Sequence, residues 1–314
     1  MKVLILGATG KCFLGLPAAE AFVRAGHIVY GTTRSARSAI DILAAREIVP
    51  VVVDPFDENG KKEWGKIAAE VDVVIDALSA TGSKAALDTF NNYLEYVDRP
   101  RGSPKPTYIY TSGLWINARG YGGLDKWTDE RQPVSKFNKA VQWRPEIEVP
   151  VLESRKVNGI VIRPAMVYGR SGSAVANYIF DEALKGQKAE DGIWETIYSE
   201  ESRYTTIHTD DAADLYLRVA ERGTILAGQV FLAANQATER LTDVLDAVVR
   251  VSGTKGYKSK PPQGDFDKAY LSSTLLKPSL GYALTGWVPR KLSLVDGMDI
   301  YWSAYLASKG KLQI

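Results

Sequence analysis

A glycine-bearing turn directly after the first apolar segment is the feature that most constrains how this chain folds. The run from Lys2 to Leu6 is typical of a strand buried on both faces. Residues 7–10 read Gly-Ala-Thr-Gly, and apolar residues then recur at helical spacing from Leu14 to Arg24. Glycine lets the backbone approach a pyrophosphate, and a helix N-terminus offers free N–H groups and partial positive charge. This order of elements therefore predicts a dinucleotide site.

Strands and helices alternate through the rest of the first half of the chain. Further strands are predicted near residues 28–34, 49–53, 71–77, 107–110 and 159–163, and a helix near 38–46. Such alternation predicts an α/β fold, a Rossmann-type doubly wound parallel sheet, here with a small C-terminal substrate lobe.

The domain organisation follows from where this alternation stops, after Tyr168. We predict that residues 1–168 are mainly the dinucleotide-binding domain, that 205–235 return to it, and that 169–204 and 236–314 are mainly the substrate lobe. Within the lobe, the Gly/Pro/Lys-rich residues 252–266 predict a surface connection. An apolar stripe over residues 294–306 predicts a docking helix.

Composition excludes several classes of function. The chain of 314 residues has 39 Lys and Arg against 37 Asp and Glu, a net charge of +2 that gives no case for nucleic acid or an anionic membrane. One cysteine and two histidines argue against a disulfide framework and against a metal site. No apolar stretch approaches the roughly 18 residues that cross a bilayer. We expect a cytoplasmic protein, monomeric or homodimeric, whose partner is a small molecule.

Several segments, in order along the chain, resemble the extended short-chain dehydrogenase/reductase family, whose members are similar to NAD-dependent epimerases and dehydratases. They are the glycine turn, Thr111-Ser112-Gly113, the segment Arg163 to Gly169, the segment Ile207 to Ala213, and Leu280-Gly281-Tyr282 with Trp287-Val288-Pro289. Lys11 and Cys12 lengthen the turn by two residues relative to the family's common spacing. The resemblance implies cofactor contacts at Gly7, Thr9, Gly10, Lys11, Phe13, Leu14, Gly15, Asp54, Pro55, Ala77, Leu78, Ser79, Thr111, Pro164 and Val167.

The end of the second strand bears on which dinucleotide is bound. The sequence there has no acidic residue to bond the ribose 2′-hydroxyl of NAD. It offers Arg34, Ser35 and Arg37 instead, and guanidinium groups suit a 2′-phosphate. We therefore predict NADP as the cofactor, with NAD less favoured.

The family's usual catalytic pair is missing. Ser112 stands in the position of the serine that orients the substrate oxygen, but no Tyr-x-x-x-Lys follows it. Alignment on neighbouring segments puts the tyrosine position on Ala140 and the lysine position on Arg144, which has the helical i,i+4 spacing for a bridge to Glu148. This departure makes the chain similar to atypical members of the family.

Other residues are therefore considered as the proton donor. The candidates are Tyr121, Tyr168, Tyr198, Tyr204, Asp129 and Glu130, and the catalytic set predicted is Ser112, Tyr168 and Tyr121. Gly113, Trp115, Trp143 and Trp194 are predicted to contact the substrate. His208 is interpreted as a structural residue leading into a helix.

The function predicted is an NAD(P)(H)-dependent oxidoreductase that uses NADP and acts on a small, partly apolar carbonyl or hydroxyl compound. Aromatic side chains near the cleft favour a flat or apolar substrate. Two alternatives remain open: a non-redox isomerase, epimerase or dehydratase on the same scaffold, and a catalytically silent protein that senses dinucleotides.

Overall fold

The computed structural model describes residues 1–9, 13–78, 82–100, 102–117, 127–132, 138–170 and 173–311. Four predicted site residues lie outside these ranges and remain predictions: Gly10, Lys11, Ser79 and Tyr121.

The described chain contains strands in three sheets. They are β1 (Lys2–Leu6), β2 (Ile28–Thr33), β3 (Val49–Val52), β4 (Val73–Asp76), β5 (Thr107–Thr111), β6 (Asn158–Pro164), β7 (Met166–Tyr168), β8 (Ile193–Thr196), β9 (Arg203–His208), β10 (Val230–Ala233), β11 (Thr238–Arg240) and β12 (Gly256–Ser259).

Helices connect these strands. They are α1 (Gly15–Arg24), α2 (Ala36–Ser38), α3 (Glu58–Glu70), α4 (Ser83–Tyr96), α5 (Pro145–Leu152), α6 (Asp181–Gly186), α7 (Thr209–Ala220), α8 (Leu241–Ser252), α9 (Gly264–Tyr270), α10 (Leu280–Thr285) and α11 (Met298–Ser308). Short 3-10 turns span Ala44–Arg46, Leu114–Asn117 and Lys139–Val141, and π-turns span Ala39–Leu43 and Ala176–Phe180.

The central sheet has seven parallel strands in the order β3-β2-β1-β4-β5-β6-β10. The chain passes from β1 to β2 and β3 on one side, then crosses to β4 on the other. The predicted Rossmann-type doubly wound sheet is thereby confirmed. In such sheets ligands bind outside the carboxyl ends of the strands, where the order reverses, which here is between β1 and β4.

Alternate residues of β1 explain why helices cover both faces of the sheet. Val3 and Ile5 lie in one core layer with Phe22 of α1. Leu4 and Leu6 lie in the opposite layer, which includes Trp64 of α3. A strand buried on both faces needs this continuous apolar run.

The substrate lobe has its own core, formed by residues of β7 to β9, the helices α6, α8 and α11 and the segments between them. Tyr301, Trp302 and Tyr305 of α11 are buried there, which confirms the predicted docking helix. The predicted surface connection over residues 252–266 is partly wrong, because it contains β12, which pairs in parallel with β8. That pairing is a long-range contact that no local pattern indicates. Among the described residues, no helix combines the length and apolar character that a bilayer crossing requires.

Candidate functional site

The turn after β1 brings two backbone segments into close contact. Gly7 has a φ of 84°, and a Cβ there would lie 2.8 Å from the carbonyl oxygen of Ala77. A Cβ on Gly15 would lie 2.3 Å from the carbonyl oxygen of Gly7, so α1 can begin this close to the turn only with glycine. Thr9 donates a hydrogen bond from its hydroxyl to Thr33 Oγ1 at 2.8 Å.

A cavity of about 470 Å³ opens between this turn and the carboxyl ends of β2 and β4. Its walls combine glycine, hydroxyl side chains and one arginine with an apolar side. They are Gly7, Thr9, Thr32, Thr33, Arg34, Ser35, Ser38, Pro55, Phe56, Ala77 and Leu78. The donor set fits a dinucleotide, because backbone and hydroxyl groups suit phosphate and ribose oxygens while Pro55, Phe56 and Leu78 offer apolar contact for a base.

The two arginines predicted to bind a ribose phosphate are placed differently. Arg34 lines the cavity and is highly exposed, and its Nη1 lies 3.9 Å from Asp54 Oδ2. Arg37 does not line the cavity, and its Nε donates to Asp41 at 3.0 Å. Asp54, which is also a predicted cofactor contact, thus lies next to Arg34 and does not line the cavity.

A second cleft, of about 440 Å³, opens on the other side of the turn at the carboxyl ends of β5 and β6. Its walls are mostly apolar or aromatic, with a few polar groups. They are Phe13, Leu14, Thr111, Ser112, Gly113, Leu114, Trp115, Val141, Arg144, Pro164, Ala165, Met166, Val167, Ala174, Asn177, Tyr178 and Phe266. Eight of the described residues predicted to contact the cofactor are absent from the first cavity, and five of them line this cleft, namely Phe13, Leu14, Thr111, Pro164 and Val167.

Ser112 and Arg144 meet on the wall of this cleft. An Arg144 Nη1 donates to Ser112 Oγ at 3.4 Å. The guanidinium also lies over Gly113, where a Cβ would be 3.6 Å from Nη2. The position aligned with the family's lysine thus holds a cation beside the serine, whereas the position aligned with its tyrosine, Ala140, supplies no acid.

The predicted helical bridge between Arg144 and Glu148 is wrong. Glu148 is buried and accepts two hydrogen bonds from Arg163, at 2.6 and 3.2 Å. Arg163 also donates to Asn117 Oδ1 at 3.3 Å. The bidentate pairing of a buried carboxylate with Arg163 on β6 outweighs a contact along the surface of α5.

The predicted catalytic residue Tyr168 is separated from Ser112. It is fully buried in the core of the substrate lobe, its hydroxyl donates to the Leu292 carbonyl oxygen at 2.7 Å, and Asn235 donates to that hydroxyl at 3.3 Å. Burial raises the pKa of Tyr168 far above its usual range. Tyr168 does not line either of the two cavities.

The other proton-donor candidates in the described chain also have structural partners. Tyr204 donates to the Tyr270 carbonyl oxygen at 2.6 Å. Glu130 accepts from the backbone and hydroxyl of Ser279 at the start of α10. Asp129 accepts from the Arg131 N–H, and Tyr198 packs edge-on against Tyr257.

Tyr178 is a cleft residue that sequence reasoning missed. It follows β7 in the π-turn Ala176–Phe180 and lines the cleft together with Asn177 and Phe266. Burial, and next the negative charge of Asp267, raise the pKa of Tyr178 above its usual value, so the phenol is protonated at neutral pH. No motif marks this position, because only the packing of the lobe against the sheet brings it to the cleft.

The three tryptophans predicted to contact the substrate lie in different parts of the structure. Trp115 lines the cleft and packs edge-on against Phe266, with ring centroids 4.9 Å apart. Trp143 packs against the core beneath the sheet, with the Arg144 guanidinium 5.1 Å from its ring. Trp194 is buried in the substrate lobe beside Tyr257 and does not line the cleft.

His208 has the structural position that the sequence predicts. It precedes α7, and its Nδ1 accepts the N–H of Asp210 at 3.1 Å, which caps the helix. Within the described ranges, no group of three or more His, Cys, Asp or Glu residues has the arrangement of a metal site.

Solved structures share this fold. The chain is 14% identical to a dTDP-glucose 4,6-dehydratase from Bacillus anthracis in complex with NAD, with a TM-score of 0.75 over 99% of this chain and 98% of that chain. It is 17% identical to a UDP-glucuronic acid 4-epimerase from Bacillus cereus in complex with NAD, with a TM-score of 0.73 over 99% and 98%. A human epimerase family protein with NADPH is 16% identical, with a TM-score of 0.70 over 96% and 99%.

At these identities the likeness shows the fold. The fold that the resemblance implies is confirmed, since these three structures share it over nearly the whole chain. No protein-family model and no curated protein matches the sequence.

Proposed function

We propose that the chain is an NADP(H)-dependent oxidoreductase that acts on a small, partly apolar carbonyl or hydroxyl compound. The observation that supports this most is the pair of cavities on either side of the glycine turn. One is lined by hydroxyl groups and Arg34, and the other holds Ser112 and Arg144 among apolar side chains. Neighbours of this fold were solved with NAD or NADPH.

NADP is proposed over NAD because of the charge at the end of β2. Arg34 lines the first cavity and keeps most of its side chain exposed, so its guanidinium is accessible to a 2′-phosphate. Ser35 lies beside it on the same wall. The carboxylate nearest to Arg34, Asp54, is half exposed and 3.9 Å away, which makes a weak competitor for the guanidinium.

This cofactor assignment is tested by measuring the dissociation constants of NADPH and NADH by calorimetry. Arg34→Ala is expected to weaken NADPH binding by about tenfold or more and to leave NADH within about twofold, because only NADPH carries the phosphate. Arg37→Ala is the matched control, since Arg37 is bonded to Asp41 away from the cavity. Equal losses for both cofactors in Arg34→Ala would contradict the preference.

In the proposed reaction, Ser112 and Arg144 orient the substrate oxygen. When bound, the nicotinamide supplies or accepts a hydride at the carbon that carries this oxygen. The Ser112 hydroxyl and the Arg144 guanidinium both donate hydrogen bonds, so they stabilise negative charge that develops on the oxygen. A guanidinium does not release a proton at neutral pH, so the proton comes from another group.

Two tyrosines are proposed as that proton donor. Tyr178 lines the cleft and is protonated at neutral pH, whereas Tyr121 lies outside the described residues and remains the candidate that the sequence predicts. Tyr178→Phe and Tyr121→Phe distinguish them, because only the donor's loss slows the proton-dependent step while cofactor affinity stays unchanged.

Activity is tested by following NADPH absorbance with a panel of small aldehydes and ketones. Ser112→Ala is expected to lower kcat/KM by about a hundredfold, the effect of losing one donor to a developing oxyanion. The alternatives give different outcomes. An epimerase or dehydratase converts its substrate without net change in NADPH, and a dinucleotide sensor binds NADPH and turns over no panel member.

A further inference from the structure

Arg144 is a half-buried cation with no carboxylate partner among the residues the structure describes. Its Nε is buried and makes no hydrogen bond, and the polar groups that the guanidinium contacts are neutral hydroxyls, that of Ser112 on the cleft wall and that of the buried Tyr110. The face of the Trp143 ring lies 5.1 Å from the guanidinium and contributes a modest cation–π attraction.

Three other arginines that are buried or partly buried in the described chain are neutralised by carboxylates. Arg163 pairs with Glu148, Arg170 with Glu20 and Asp210, and Arg218 with Asp214. Glu148, four residues after Arg144, pairs with Arg163 and is therefore not available to Arg144. A guanidinium removed from water without an anion is unfavourable, and proteins compensate such charges by pairing them.

The walls of the cleft supply no such anion. Within the described chain, the lining of the cleft contains neither Asp nor Glu, and most of its residues are apolar, such as Leu114, Trp115 and Phe266. Among the described residues no side chain supplies this negative charge, and we infer that a ligand does. The apolar walls require the rest of that ligand to be apolar.

The spacing of the two donors restricts the ligand further. Arg144 Nη1 and Ser112 Oγ are 3.4 Å apart, so two oxygens that are close neighbours in one ligand can bind both groups at once. Oxygens on adjacent carbon atoms meet this condition. An α-keto acid, or the corresponding α-hydroxy acid, presents a carboxylate beside the reacting oxygen.

We propose that this cleft binds an α-keto or α-hydroxy acid with an apolar side chain, whose carboxylate pairs with Arg144 and whose keto or hydroxyl oxygen bonds to Ser112. The proposal rests on the proposed oxidoreductase function for the identity of the reacting oxygen. The carboxylate site itself is a binding property that is measured without turnover.

Binding is tested with an inert matched pair of probes, hydrocinnamate and its neutral carboxamide, which share the phenyl group and chain. Calorimetry with and without NADPH is expected to give at least about tenfold tighter binding of the acid to the wild-type protein. Arg144→Met should remove this preference and leave the carboxamide unchanged. Arg144→Lys keeps the charge but loses the paired donors, so its preference should be intermediate.

Arg250→Met is the control, because Arg250 is an exposed arginine that pairs with Asp299 and does not line the cleft. It should bind both probes as the wild type does. Equal affinity of the wild-type protein for acid and carboxamide overturns the proposal without reference to any variant. So does an acid preference that persists in a folded Arg144→Met protein.

Turnover separates this proposal from the proposed function. Phenylpyruvate and its methyl ester present the same keto group, and we expect kcat/KM with NADPH to favour the acid by about tenfold or more. If the ester is reduced as well as the acid, the carboxylate site is wrong and the oxidoreductase stands. If neither is reduced but hydrocinnamate binds through Arg144, the carboxylate site stands and the oxidoreductase is wrong.

Discussion

At the scale of single residues, the chemistry of the molecule depends on which charges find partners. Arg163 and Glu148 form a buried ion pair, whereas Arg144 lies on a cleft wall and donates a hydrogen bond to Ser112. The same sequence segment, 144–163, thus contains a structural arginine and an arginine available to a ligand. Breaking the first pair by removing one partner would leave an uncompensated buried charge.

Asp76 is a second residue whose charge matters, and it predicts a pH dependence of stability. Complete burial raises the pKa of its carboxyl to about 6 from 3.8, although the Leu78 N–H and the Tyr108 hydroxyl donate to it and oppose the shift. The folded state therefore holds this proton more tightly than the unfolded state. Its contribution to stability is complete below pH 3.8 and is lost as the pH rises through 6.

The expected size of this effect is about 3 kcal/mol between those two pH values. Asp76→Asn cannot titrate, so the difference in unfolding free energy between variant and wild type should change by about this amount from pH 4 to pH 7, in favour of the variant at high pH. Urea unfolding at a series of pH values measures it. A difference that does not vary with pH would show that Asp76 titrates normally in the folded protein.

At the scale of elements, the first residues of α1 and α7 shape the backbone around the candidate site. The helix α1 begins against the Gly7 carbonyl because Gly15 has no Cβ, which leaves the turn free to line a cavity. The helix α7 begins at Thr209, whose hydroxyl donates to the carbonyl oxygen of Phe13 at 2.6 Å. Phe13 has a φ of 61°, so this bond holds a backbone conformation that a phenylalanine rarely adopts.

The cap of α7 predicts a second, opposite pH dependence. Burial lowers the pKa of His208 below 6.5, and the negative charge of Asp210 opposes this shift. The neutral ring accepts the Asp210 N–H through Nδ1. The unfolded state binds the proton more readily. The contribution of His208 is therefore complete above pH 6.5 and is lost as the pH falls below that value through the folded-state pKa.

His208→Asn preserves a cap acceptor and removes the titration. Relative to wild type, we expect this variant to gain stability as the pH is lowered from 7 to 5, measured as the shift in urea midpoint. His208→Ala, which lacks an acceptor, should lose about 1 kcal/mol at pH 7. Parallel pH profiles for wild type and His208→Asn would mean that the ring does not titrate in this interval.

At the scale of the whole molecule, the sheet domain and the substrate lobe have separate apolar cores that meet at the cleft. The cofactor cavity is built by the sheet domain, because its lining comes from residues 7–78. The second cleft takes residues from both, since Ser112 follows β5 whereas Tyr178 and Phe266 belong to the lobe. From the proposed function we therefore expect substrate binding to depend on how the lobe packs against the sheet, and dinucleotide binding to depend mainly on the sheet.

Two core tryptophans make this division testable. Trp302 is buried in the lobe against Phe180, and Trp64 is buried under the sheet, where its Nε1 donates to the carbonyl oxygen of Pro55 on the cofactor cavity. Each Trp→Ala change should lower the unfolding free energy by about 3–5 kcal/mol. Only Trp64→Ala should also weaken NADPH binding.

The measurement is thermal unfolding with and without NADPH. At a hundred times its dissociation constant, the cofactor stabilises the native state by about 2.7 kcal/mol. Trp302→Ala should retain this increment and Trp64→Ala should lose part of it at the same NADPH concentration. Loss of the increment in both variants would show that the dinucleotide site requires the intact lobe.

Much of this molecule is determined by short-range patterns in the sequence. The apolar run of β1, the glycines at 7 and 15 and the alternation of strands and helices specify the sheet, because burial on both faces and close backbone approach depend on local residue type. Ser112, directly after β5, is instead identified by the resemblance of Thr111-Ser112-Gly113 to the family's serine segment. The pairing of β12 with β8 has no such local signal.

Only the tertiary structure decided which side chains face the cleft. Glu148 pairs with Arg163 and not with Arg144, Tyr168 is buried in the lobe, and Tyr178 lies on the cleft wall. Each outcome depends on competition between partners that are distant in sequence and on desolvation that exists only after packing. Residue type and spacing determine which interactions a side chain can make. Burial and the neighbouring groups determine which of these interactions it makes in this protein.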